Sequence, residues 1–288
     1  MLRRLLTLLL AAAPATAPAT ASADGVAFCG AVYPTSTTTI ECREPAVDDL
    51  APLRGLPHLK TLLLVHNAVD DLAPLADIQG LEWLSIASNP VADLAPLAGL
   101  RELENIDITA TQVRDLAPLA GLTRVETIYA SGTPITDLGP LRAMTRLRTL
   151  GVGSTGVVEL SAVAGLADLE VLDVSNTQVL DLEPVRGLQR LTILNLTSTI
   201  VTDLRPLAEL PALERLYCSG GRVTDVSPLA HLPSLLYLGL LNAPVRDVKA
   251  LSKLTTLETL YLPKSVPEAQ VESLRRALPK TNIRVARN

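Results

Sequence analysis

The sequence predicts an α/β-type solenoid, a single parallel β-sheet backed by short helical turns. Three observations predict it. Ten consecutive blocks of 22 residues run from Val47 to Val266 without insertion or deletion, opening at Val47, Val69, Val91, Val113, Ile135, Val157, Val179, Val201, Val223 and Val245. Aliphatic residues recur at fixed places in every block, and so do Asp and Pro. One block reads VRDLAPLAGLTRVETIYASGTP (113–134). A fixed period of this length makes an array in which each unit packs only on its neighbours.

The chain divides into four parts: residues 1–23, 24–46, 47–266 and 267–288. The first reads as a secretory signal peptide. Arg3 and Arg4 form its basic start, Leu5 to Ala13 its short apolar run, and Ala21-Ser22-Ala23 an A-x-A cleavage site. That run is far below the ~20 residues needed to span a bilayer. Its removal takes away two arginines and no acid, so the formal charge of −5 becomes −7. The expectation is an exported protein, periplasmic or secreted, with no membrane span. No basic cluster suits a nucleic acid.

Residues 24–46 read as an N-terminal cap. Cys29 and Cys42 flank a short segment and are expected to pair in an oxidising compartment, with two reduced thiols as the alternative. Cys218 is left over.

Within a block, counting the opening residue as zero, aliphatics fall at 0, 3, 6, 9, 12, 15 and 17. In 113–134 these are Val113, Leu116, Leu119, Leu122, Val125, Ile128 and Ala130. Places 15 and 17 alternate with polar or small residues at 14, 16 and 18, which is the period of a short strand. Nearly half the residues are apolar, yet Phe and Trp occur once each and Met twice, so the core is aliphatic. Place 2 is Asp in nine blocks and Glu159 in the other, and place 5 is Pro in eight. Asp followed by Leu-x-Pro-Leu fits a capped single turn of helix, of 3₁₀ type given the few residues available. The competing reading of these acids, cation binding, lacks a suitable ligand spacing. Place 20 carries Asn67 and Asn89, then Thr in five blocks. A polar side chain there satisfies backbone groups where the chain turns from the sheet.

The run LPHLKTLLLVHN (56–67) resembles the leucine-rich repeat, and the 22-residue length with its D-L-x-P-L element resembles the internalin-type subclass of bacterial surface and secreted proteins. The likeness covers 47–266. It implies a right-handed horseshoe with a concave sheet and a convex side of short helices, and it implies protein binding. Thr mostly replaces the usual Asn, and no stretch resembles the immunoglobulin-like region or wall-anchoring tail of many internalins.

At the ends, the register projected backward places Ile40 and Cys42 inward, so TTTIECR (37–43) reads as a zeroth strand. Residues 267–288 read as a C-terminal cap. Ser265 to Glu268 resembles a capping box, Val271, Leu274 and Leu278 share a helical face, and Ile283 with Val285 can add a last strand. Cys218 takes an inward place and is read as a small hydrophobe.

Places 14, 16 and 18 face away from the core. Trp83, Tyr129, Tyr217, Tyr237 and Tyr261 all occupy 14 or 16, and the core places of the repeat take no large aromatic. Arg215 stands beside Tyr217, Tyr237 and Tyr261, and such residues are enriched at binding hot spots. Alternatively, the rings merely cover one another across strands. Asp107, Asp173 and Asn195, with Gly151 and Gly153, give the middle of the face a small, acidic or neutral floor, either open to a protruding loop or a filler surface without a ligand. No catalytic residues, metal ligands or cofactor motif stand out. The expectation is therefore a recognition module, not an enzyme, that binds a protein or peptide on its concave face. An envelope structural or glycan-binding role, or an enzyme's accessory subunit, are the alternatives.

Overall fold

The computed structural model describes residues 25–43 and 46–286. The expected signal peptide lies outside the described residues. The fold is a leucine-rich repeat solenoid. Among the described residues its sheet has twelve parallel strands in sequential order. They are β3 (Thr39–Glu41), β4 (Thr61–Leu63), β5 (Trp83–Ser85), β6 (Asn105–Asp107), β7 (Thr127–Tyr129) and β8 (Thr149–Gly151). Then come β9 (Val171–Asp173), β10 (Ile193–Asn195), β11 (Arg215–Tyr217), β12 (Tyr237–Gly239), β13 (Thr259–Leu262) and β14 (Asn282–Val285). From β3 to β13 each strand pairs with the residues one block further on, as in Leu150 with Ile128 and Leu172. All seven aliphatic places are buried in every block, so the core is one continuous column.

Ten 3₁₀ helices run along the convex side among the described residues, from Ala51–Gly55 to Lys249–Lys253. Each of the nine aspartates accepts a hydrogen bond from the N–H two residues on, at 2.7–3.0 Å. The carboxylate sits one residue ahead of the helix's capping residue, so it holds the turn that leads into the helix. The helix Ser161–Gly165 forms with Glu159 and Ala162 in place of Asp and Pro. Burial of Val163 and Leu160 decides that turn, and Asp and Pro refine it.

The nine strands from β4 to β12 are each left through a residue with positive φ at place 19, including His66, Ser88, Ala110, Asn176 and Asn242. This left-handed step is uncommon for residues with a Cβ, and it sharply reverses the chain. Place 20 then anchors the turn. The five threonines each donate to the carbonyl three residues back, at 2.6–2.8 Å. The two asparagines reach further. Asn89 accepts from the Val69 N–H at 3.0 Å and donates to the Leu64 carbonyl in the preceding turn at 2.6 Å. Asn67 does the same with Val47 and Cys42. Asn89→Thr is expected to cost about 1–3 kcal/mol in guanidinium unfolding, because buried backbone groups lose their partners. A change below about 0.5 kcal/mol would show that water or relaxation replaces the lacing.

The ends differ from the repeats. At the start, β1 (Gly25–Phe28) and β2 (Ala31–Pro34) form an antiparallel hairpin. Its turn is Cys29-Gly30, both at positive φ, as a two-residue hairpin turn of type I′ demands. Phe28 is buried, and Val26 and Tyr33 pack on the core. A disulfide joins Cys29 to Cys42, with Cα atoms 6.0 Å apart. At the other end, α1 (Glu268–Ala277) buries Val271 and Leu274, and β14 pairs with β13. The expected capping box does not form. Pro267 begins the helix, and the Ser265 hydroxyl instead donates to the Val245 carbonyl at 2.6 Å.

Candidate functional site

Strand register places most of the candidate residues in one line across the concave sheet. Ser85, Asp107, Tyr129, Gly151, Asp173, Asn195, Tyr217, Gly239, Tyr261 and Arg284 pair successively. Trp83, Arg215 and Tyr237 lie in the parallel row two residues earlier.

The structure brings part of this set together. Ring centroids of Tyr217 and Tyr237 are 4.7 Å apart, and those of Tyr237 and Tyr261 5.7 Å. These tilted pairs fall in the range of favourable aromatic contacts. Gly239 makes the cluster possible. A Cβ there would meet the Tyr237 ring at 3.3 Å, so the missing side chain lets Tyr237 lean along its own strand between its neighbours. Burial raises the Tyr237 hydroxyl's pKa, with smaller contributions from Tyr217 and Tyr261, while Arg215 opposes the shift. The phenol therefore stays protonated near neutral pH and is able to donate.

Trp83 and Tyr129 stand apart from this cluster. Tyr129 leans over Gly151, where a Cβ would meet its ring at 3.2 Å. Burial, then the Asp107 carboxylate, raises its pKa. A Cβ on Gly153 would lie 2.7 Å from the Ser175 hydroxyl. Neighbouring side chains thus come close to both glycines of this floor. Asp107, Asp173 and Asn195 each accept from the N–H two residues on, at 2.9–3.0 Å. Asp107 also accepts from Ser85, and Asp173 is buried. These polar residues hold the ends of their strands, whatever else they touch.

Arg284 is the residue that sequence reasoning missed. Its guanidinium lies 5.8 Å from the Tyr261 ring centroid, a cation–π distance. The signal was present, because inward Ile283 and Val285 turn the residue between them outward. Cys218 is fully buried, which pushes its thiol up to about 12 and leaves it protonated and unreactive. No group of His, Cys, Asp or Glu among the described residues is placed to hold a metal ion. No helix among them is long and apolar enough to cross a membrane.

A sequential parallel sheet, ten 3₁₀ returns and an Asn/Thr turn ladder define the class: a leucine-rich repeat solenoid with an open concave face. Within that class, an internalin (inlF) from Listeria monocytogenes matches with a TM-score of 0.81 and 26% identity, over 89% of this chain and 76% of that one. An internalin C2 (inlC2) from the same organism matches with a TM-score of 0.62 and 31% identity, over 63% of this chain and 80% of that one. The plant peptide hormone receptor RGFR1, solved in complex with RGF2, shares the fold at a TM-score of 0.72 and 13% identity, over 88% of this chain and 48% of that one. Neither the family models nor the curated proteins give a match. The chain is an internalin-like bacterial leucine-rich repeat protein of the 22-residue subclass.

Proposed function

We propose that the chain is an exported recognition module, not an enzyme, that binds a protein or peptide through its concave face, with residues 24–46 and 267–288 capping the repeats. One observation carries this reading. Tyr217, Tyr237 and Tyr261 form a contiguous cluster on the exposed face of the sheet, in an array whose repeated core places hold no aromatic side chain. Nothing in the packing of an aliphatic array calls for them there. Trp83 and Tyr129 lie on the same face as secondary contacts. The receptor–peptide complex on this fold supports the choice of a polypeptide ligand. The leader-like start and the disulfide support export.

The test is affinity capture from envelope and culture-fluid extracts with the wild-type chain and a Tyr217→Ala/Tyr237→Ala variant. The partner is expected to bind the variant at least about tenfold more weakly, since hot-spot truncations cost about 2 kcal/mol or more. Both residues are partly exposed, so the unfolding transition should hold. Equal retention by the two proteins would remove the cluster from the interface.

A further inference from the structure

We propose that the C-terminal end of the concave face, from β11 to β14, docks an acidic peptide. Its apolar stretch lies over Tyr217, Tyr237 and Tyr261, and a carboxylate meets each of Arg215 and Arg284. This inference rests on the reading of the concave face as a binding surface, and adds the chemistry of the occupant.

The charge on that face is polarised. Its first part carries Asp107 and Asp173 on β6 and β9, and Glu41, which is already paired with Arg43. No outward-facing residue of β10 to β14 is acidic, and two are arginine. Elsewhere, arginines at the edge where strands begin are engaged: Arg124 with Glu102 and Glu104, Arg148 with Glu126 and Glu170, and Arg190 with Asp168. Arg215 is exposed, and no hydrogen bond or ion pair engages its side chain among the described residues. Among the described residues, Arg284 makes only a long contact with Asn282, at 3.4 Å, besides lying by the Tyr261 ring. Each guanidinium therefore keeps donors for a carboxylate, which it can grip through two parallel hydrogen bonds.

Spacing narrows the ligand. From β11 to β14 is three interstrand steps, roughly 14 Å. An extended peptide covers that in about four to five residues, at about 3.3 Å each. Between the arginines lie three rings and no charge, which suits an apolar or proline-bearing stretch. A uniformly anionic polymer fits less well. Glu214 and Glu258 stand one residue before β11 and β13, and the whole chain is already negative. Discrete carboxylates at the two ends match the pattern, and that favours a peptide over an acidic glycan.

The test is selection of a random linear peptide library on the immobilised full chain, followed by affinity measurement with the synthetic peptides obtained. Enriched peptides are expected to carry two Asp or Glu about four to five residues apart around an apolar stretch. R215Q and R284Q should each weaken them about three- to tenfold, with more loss in the double variant and at high salt. Enrichment without acids, an empty selection, or equal binding by the double variant would overturn the proposal. So would polygalacturonate binding more tightly than any peptide through the same arginines. Peptides insensitive to the arginine changes but lost with Tyr217→Ala/Tyr237→Ala would sink the acidic ligand and leave the concave-face reading standing. Insensitivity to both sets of changes would sink both.

Discussion

Leu150→Ala is expected to lower the stability of the chain by about 3 kcal/mol, within the range of roughly 2–5 kcal/mol for large-to-small changes in a closed core. Leu150 is fully buried on β8, near the middle of the array. It pairs in register with Ile128 on one side and Leu172 on the other, so a cavity there weakens two interfaces at once. Neighbouring side chains sit in identical settings of their own and have little freedom to close the gap. In an array, stability is carried by each unit and its contacts with the next, so the lesion should also lower the cooperativity of unfolding. Guanidinium titration followed by circular dichroism measures both the midpoint and the slope. Val158, half exposed on the surface, is the control, and its replacement by Ala should stay within about 0.5 kcal/mol. A Leu150→Ala loss under about 1 kcal/mol would mean that the blocks repack independently of their neighbours.

Loss of the disulfide should have an effect of similar size and a different reach. Cys29 and Cys42 are 13 residues apart, and closing a loop of that order stabilises by about 3 kcal/mol. Cys29→Ala/Cys42→Ala should release the β1–β2 hairpin from the first 3₁₀ helix, Ala51–Gly55, where Val26 faces Gly55, and loosen the packing of buried Phe28. Alanine is the better replacement, because Cys42 is buried and a serine hydroxyl there would need a partner. Amide exchange should speed up over residues 25–43 and fade within one or two blocks. The blocks beyond should keep their protection, since each depends on its own neighbours. Unchanged exchange at Ile40 would show that the hairpin's apolar contacts hold the end without the bridge.

Much of the fold was legible because every inward side chain repeats in register. Val113, Leu116 and Ile128 announce their burial through their nine counterparts, and even Cys218 is placed by its neighbours Leu196 and Leu240. What repeats is readable, and what occurs once is not. The β1–β2 hairpin has no counterpart to compare, and its turn uses Cys29 at positive φ, a role that residue type does not advertise. Ser265 carries a capping-box pattern, yet its hydroxyl is engaged by the carbonyl of Val245, the residue that opens its own block. The left-handed step at place 19 stayed hidden because His66, Ser88, Ala110 and Asn176 share no chemistry. They share only a location that the surrounding packing enforces.

The concave aromatics were legible as a set but not in their grouping. Register shows that Tyr217, Tyr237 and Tyr261 are neighbours. It does not show that Gly239 lets the middle ring lean over, or that the same device lays Tyr129 across Gly151. Those arrangements depend on side-chain torsions, which no periodicity encodes.

Because the strands from β3 to β13 meet with an identical register, every seam between two blocks shares the same backbone pairing and the same column of buried side chains. Excision of residues 113–134 would bring β6 directly beside β8, with the same pairing and the same column of aliphatics, and Asp107 would come to face Gly151. Recombination between equivalent points can therefore lengthen or shorten the concave face in steps of about 4.8 Å without creating a junction that must be redesigned. Only the hairpin and the terminal helix are irreplaceable. Descendants of such a chain are free to change the distance between their contact residues by copying units, long before any contact residue itself has to mutate.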